Sequence, residues 1–252
     1  MSQKTLKLLS YNTQQGIPMR GVHHYVLNSW RHLLPHRSRM QNLSNVAEML
    51  AGYDVVALQE VDIGSFRSQH IDQVEYLSEQ AGLLHRAQQV TRDLGRFAQY
   101  AKGILSRYPL HAIEQLLLPS VVPGRGVLVA QVGQGETKIL LVNVHLSLSH
   151  KTQQRQLDFL ENLVRSHRYV VVMGDLNLVP ERLSAHRLIA HGLLNIANID
   201  TLTFPSWKPR KCLDYVLLSP ALSCYDVHVV PCDFSDHLPV SVTLQVPDEV
   251  II

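Results

Sequence analysis

Acidic residues are missing from the first 47 positions of this 252-residue chain. The same stretch carries Lys4, Lys7, Arg20, Arg31, Arg37 and Arg39. With the whole chain at +2, the remainder is net acidic. Such asymmetry fits either an anionic partner at the N-terminal part or a solvated basic face. Long apolar runs are also missing: none approaches the roughly 18–20 residues that span a bilayer. Residues 1–5 run straight into a strand-like segment, without the apolar stretch and cleavage site of a secretion signal. Cysteine is scarce. Cys212, Cys224 and Cys232 form an odd set without metal-ligand spacing, which argues against a disulfide framework and makes a reducing cytoplasm the expected compartment. There is no Gly/Ser- or Pro-rich linker and no internal repeat, so a single domain over 1–252 is the simplest organisation.

What is present suits a soluble globular protein with a sizeable core: 46% hydrophobic and 17% charged residues. Residues 6–11 read as a buried strand, and 16–38 as an irregular stretch rich in His and Arg. Met40, Leu43, Val46, Ala47 and Leu50 recur at helical spacing, and Gly52 ends that helix. A short strand at 54–58 runs into Gln59 and Glu60. A second helix carries Ile71, Val74, Leu77 and Ala81 on one face and stops at Gly82. Strands follow at 103–106, 127–132, 138–145 and 169–173, with a helix before the last of them burying Leu157, Leu160, Leu163 and Val164. Late strands fall at 213–218, 226–230 and 240–246, while 117–126 and 203–211 are loops. Alternation early and strands late predict a mixed sheet, or two packed sheets with outer helices.

Chemistry-bearing groups gather where apolar runs stop. Glu60 closes a hydrophobic strand, where a carboxylate can hold a hard cation such as Mg²⁺ or simply face water. Asn12 follows a similar run; its amide can ligate the same ion or help hold Glu60. Asn143 and His145 share one face of a strand, and Asn143 is a candidate substrate contact there. A histidine there is either a hydrogen-bonded core residue or a donor to a phosphate or leaving oxygen. The run Val170-Val171-Val172-Met173-Gly174-Asp175-Leu176-Asn177 ends a buried strand at a glycine. Asp175 can then align a water and Asn177 can donate to a phosphate oxygen, unless both merely shape a turn. Asp214 and His237 make the last pair: a buried aspartate fixes an imidazole tautomer and raises its basicity. Asp236 faces another direction and is a further candidate metal ligand.

The order Asn12, Glu60, His145, Asp175/Asn177, Asp214, Asp236/His237 resembles the endonuclease/exonuclease/phosphatase superfamily over nearly the whole chain. The blocks Gly-Asp-Leu-Asn (174–177), Leu-Asp-Tyr (213–215), Ser-Asp-His-Leu-Pro (235–239), Leu-Gln-Glu-Val-Asp (58–62) and Gly-Ile-Leu-Ser-Arg-Tyr-Pro (103–109) carry the resemblance. It implies a deoxyribonuclease I-like fold, a four-layer α/β/β/α sandwich of two mostly antiparallel mixed sheets flanked by helices. The site would lie at one end, between the sheets. It further implies Glu60 as the main Mg²⁺ ligand, with Asn12 and Asp236 near it. Asp175 and Asn177 would orient water and phosphate, His237 polarised by Asp214 would share the role of base with Asp175, and His145 would contact the phosphate or leaving group. Arg125 resembles a phosphate-contacting arginine of the deoxyribonuclease branch. Two departures stand out. AP endonucleases carry tyrosine where His145 falls, and Gln14 stands where some members have a second acidic ligand, which points to a one-metal site.

The expected activity is Mg²⁺-dependent phosphoester hydrolysis, with Mn²⁺ as a plausible substitute. A nucleic-acid phosphodiester is the first substrate choice: Lys208, Arg210 and Lys211 can track a backbone and Trp207 can stack on a base. Inositol phosphates and phospholipid or sphingolipid head groups suit the same cations. Residues 25–34 are amphipathic enough for peripheral membrane contact, or for burial against the protein. The remaining alternative is a non-catalytic binding module on the same fold, against which every expected reactive position is filled. The sequence carries no sign of oligomeric state.

Overall fold

The computed structural model describes residues 4–18, 38–121 and 123–252. The amphipathic 25–34 stretch, Arg20, Arg31 and Arg37 lie outside the described residues. The chain runs β1 (Thr5–Asn12), α1 (Ser38–Leu50), β2 (Val55–Asp62), α2 (Gln73–Ala81), β3 (His85–Asp93), β4 (Gln99–Ser106), β5 (Leu110–Leu117), β6 (Gly126–Val132) and β7 (Ile139–His145). It continues through α3 (His150–Val164), β8 (Val170–Asp175), α4 (Pro180–Ser184), α5 (Arg187–Ala190), β9 (Asn195–Ile196), β10 (Asp214–Leu218), β11 (Ser223–Val229) and β12 (Val240–Gln245).

Two six-stranded sheets result, ordered β11-β12-β1-β2-β4-β3 and β5-β6-β7-β8-β10-β9. Among the described residues only β1–β2 and β7–β8 pair in parallel; the other ladders are antiparallel. The central strands β7 and β8 are buried at every position, because each is covered on both faces. Three apolar clusters account for the layering. Leu8, Ala57, Leu141, Met173 and Val242 belong to a core shared by both sheets. Leu9, Val56 and Leu58 pack with Leu43, Val46 and Leu50 of α1 and with Val74 and Leu77 of α2. Val142, Val144 and Val172 pack with Leu157 and Leu160 of α3. The arrangement is the expected α/β/β/α sandwich.

Local signals explain the helix ends. Asp72 caps α2 by accepting from the Val74 and Glu75 amides, and Gly82 closes it at φ +68°. Three edge strands, β3, β5 and the two-residue β9, were not expected. Most of β5 faces solvent, so it lacks the apolar run that marks a covered strand. The acid-free N-terminal stretch is not one solvated face. Lys4 and Lys7 are exposed, but Arg39 is buried, and burial pulls its guanidinium down to about 10.

Candidate active site

Strand register brings the reactive groups abreast. His145 ends β7 opposite Asp175, and Asp175 lies opposite Asp214 at the start of β10. In the other sheet Asn12 ends β1 opposite Gln59, one residue before Glu60. The β2–β4 ladder slips between Leu58 and Val61, and Glu60 in that bulge takes φ +52°. In the second sheet Gly174 sits at φ +148°, where an added Cβ would lie 1.9 Å from the Val144 carbonyl oxygen. Only glycine fits, which is why a glycine precedes Asp175.

Asp175 is the hub. Its Oδ2 lies 3.2 Å from Asn12 Nδ2, 3.5 Å from His145 Nε2 and 3.8 Å from His237 Nε2. The Asn177 amide donates to its Oδ1 at 2.9 Å. Across the gap, Gln15 Nε2 donates to Glu60 Oε2 at 2.6 Å and Asn12 Nδ2 reaches Glu60 Oε1 at 3.4 Å. His145 Nε2 is 3.8 Å from the same Glu60 oxygen. His237 Nδ1 is 2.8 Å from Asp214 Oδ2, which leaves Nε2 facing Asp175. Ser235 donates from Oγ to the Asn12 carbonyl at 2.7 Å, tying the segment before β12 to the end of β1. Nine chain-distant or neighbouring residues from both sheets therefore meet at one rim: Asn12, Gln15, Glu60, His145, Asp175, Asn177, Asp214, Asp236 and His237.

The charges follow from burial and neighbours. Burial pushes Asp175 up to about 7, with Asp214 and Glu60 adding to the rise against His237. Burial likewise lifts Asp236 to about 6, helped by Glu60 and opposed by His237. For His237 burial disfavours the imidazolium, but Asp214, Asp175 and Asp236 together outweigh it and hold the ring well above its ordinary range. His145 goes the other way: burial, then Arg125, Lys102 and His237, keep it neutral. Crowded carboxylates that drive one another towards protonation, with oxygen donors and no thiolate, fit a hard divalent cation. Asp175, Asp214 and His237 also place one ligand atom each within 4.8 Å of one another. Asp158, Glu161 and His186 form a second such grouping, but Arg187 lies 2.8 Å from Asp158 and 3.3 Å from Glu161. That grouping is an ion-pair network joining α3 to α5.

A cavity of about 660 Å³ opens beside Glu60 and His145. Arg125 is on its wall, as are Arg92, Tyr100 and Lys102. Trp207 is half-buried and Lys208 exposed in the loop between β9 and β10. That loop docks on the site: the Ser206 amide donates to the Asp236 carbonyl at 2.8 Å, and the Phe204 ring centroid lies 4.8 Å from that of His237.

Asn143 corrects the sequence reading. It shares the inner face with His145, but it is fully buried behind the site. Its Nδ2 donates to the Leu58 and Gly103 carbonyls, and its Oδ1 accepts from Gln59 Nε2 at 2.9 Å. The side chain clamps one sheet to the other and has nothing left for a substrate. The sequence reading gives four contributors no role of their own. Gln15 depends on a turn with φ +53°, which no periodicity reveals. Ser235 and Phe204 act through tertiary contacts alone. Lys102 did leave a signal, a lone charge inside the apolar run of β4.

Residues 9–237 match the model of the Endonuclease/Exonuclease/phosphatase family. No curated protein matches the chain. Solved structures share the fold. An endonuclease/exonuclease/phosphatase from Beutenbergia cavernae aligns with TM-score 0.74 at 20% identity, over 97% of this chain and 72% of its own. A mannosyl-6-phosphatase from Bacteroides thetaiotaomicron gives 0.69 at 15%, over 95% and 99%. A humanized TDP2 from D. rerio gives 0.67 at 18%, over 96% and 99%.

Proposed function

The chain belongs to the endonuclease/exonuclease/phosphatase family and is a phosphoester hydrolase; from that premise we propose that it is a Mg²⁺-dependent phosphodiesterase acting on nucleic acid. The observation that carries the polyanionic substrate is charge placement. Arg92, Lys102 and Arg125 lie in the cavity on one side of the carboxylates, while Lys208 sits on the loop that docks at Asp236 on the other. Cations on both sides of an acidic centre suit a chain of phosphates. Trp207 on the same loop supplies a ring on which a base can stack.

Glu60, fixed by Gln15 and Asn12, would hold the metal with Asp236 and Asn12 beside it. When bound, the ion supplies charge neutralisation at the phosphoryl oxygens. The protein's own groups carry the rest. Asp175, at the centre of the donors, aligns the attacking water and accepts its proton as the new P–O bond forms and the ester P–O bond breaks. His237, held by Asp214, faces the phosphoryl oxygens with Nε2, and Asn177 offers the amide proton that Leu146 leaves unused. His145 lines the cavity, from where it would hydrogen-bond the leaving oxygen.

A compact phosphate ester such as an inositol phosphate is the second reading. The cavity favours it, because 660 Å³ is the size of a small-molecule pocket. Single- and double-stranded DNA, RNA, inositol phosphates, sphingomyelin and a chromogenic diester, each with Mg²⁺ and with EDTA, separate the readings. Asp175→Asn should keep its melting temperature and lose roughly 10²–10⁴ in kcat. Normal turnover by folded Asp175→Asn, or undiminished turnover in EDTA, overturns the proposal.

A further inference from the structure

Lys102 is the most heavily buried cation on the cavity wall, 2% exposed in the middle of β4. Its ammonium donates to the Gly126 carbonyl. That uses one of three protons. Arg125, one residue before Gly126, lines the same cavity and is itself half-buried. Neither forms an ion pair with a carboxylate among the described residues. At longer range the carboxylates acting on Arg125 are Glu60 and Asp175, which belong to the reaction centre. The two cations repel each other, and burial together with Arg125 pushes the Lys102 ammonium down to about 7.

Burying a charge without a counter-charge is costly, and proteins keep such an arrangement where a ligand completes it. The enclosing surface indicates the ligand. Ser120, Ser147, Ser149 and Thr152 add hydroxyls to the wall, and among the described residues no acidic residue other than Glu60 lines it. Hydroxyls plus two forced cations are complementary to a phosphoryl group. The cavity lies beside His145 rather than among Asp175, His237 and Asn177, so the group it takes is not the one being attacked.

We propose that Lys102 and Arg125 form a subsite for a second, non-scissile phosphoryl group of the substrate, which makes this hydrolase selective for esters that carry two phosphates close together. The inference rests on the phosphoester-hydrolase reading of the neighbouring centre and names what that centre selects. The second phosphate can come from a nucleic-acid end or from a small polyphosphorylated alcohol, and the two sources are separable.

The test uses matched pairs: a thymidine dinucleotide with and without a terminal phosphate, and inositol bisphosphate against inositol monophosphate. The parent should prefer the doubly phosphorylated member of one pair. Lys102→Met should collapse that preference by roughly ten- to hundredfold in kcat/KM, the weight of one charge-assisted hydrogen bond. The pair affected identifies the source. Calorimetry of inorganic phosphate binding in EDTA gives a readout independent of turnover: the parent should bind and Lys102→Met should not. If Lys102→Met fails to fold, Arg125→Gln serves in its place, with the same expected losses. A folded variant that keeps the parent's preference, or that binds inorganic phosphate as the parent does, overturns the subsite. Absence of any ester hydrolysis by the parent would instead strike the functional reading, and phosphate binding would still decide the subsite.

Discussion

Single residues here do opposite things at neighbouring positions. His145 is held neutral by burial and then by surrounding cations, while His237 is held charged by carboxylates that outweigh its burial. The same environment sets a stability signature at Lys102. Its folded value of about 7 lies below that of an exposed lysine, so between about pH 7 and 10.4 the unfolded chain binds more protons. Stability should therefore rise with pH across that window, by an amount that Lys102→Met removes. Urea melts of both proteins between pH 6.5 and about 10 check this; parallel pH dependences would contradict it. Asn143 offers a cleaner separation of fold from function. Asn143→Ala takes a donor from two buried carbonyls and leaves Gln59 Nε2 with its bond to the Ala57 carbonyl alone, at about 1–3 kcal/mol for each group left unsatisfied. Melting temperature should fall, with KM unchanged in whatever remains folded. A raised KM at unchanged stability would return Asn143 to the substrate side.

At the scale of elements, the site exists because strand ends are distorted in specific ways. Glu60 is turned by a bulge and Asp175 is presented by a glycine that no side chain can replace. Gly174→Ala should force β7 and β8 apart, costing several kcal/mol by the strain and overpacking route. Denaturant unfolding measures the loss, and a drop of less than about 1 kcal/mol would show that the contact relaxes easily. Elements also show what a sequence reveals. Covered strands such as β7 and β8 announce themselves by unbroken apolar runs, and α1 and α2 by their spacing and caps. β3 and β5 stay hidden because an edge strand half in solvent has the composition of a loop. The site was legible where short polar blocks interrupt apolar runs, as at 174–177 and 235–239. It was illegible where a residue joins only by tertiary contact, as Gln15 and Phe204 do.

For the whole molecule, the question is whether two sheets make one catalytic unit. Asn12 and Glu60 come from the first sheet, His145, Asp175 and Asp214 from the second, and His237 from the segment leading into β12. Asn143 and Gln59 lock the sheets together one row behind. The double-mutant cycle of Glu60→Gln with His237→Ala, read as kcat on the best substrate, measures this unity directly. One shared centre predicts strong non-additivity: each single change removes most of the activity, and the double variant is little worse than the poorer single. Losses that multiply independently, in variants shown to be folded, would contradict a single site built across both sheets.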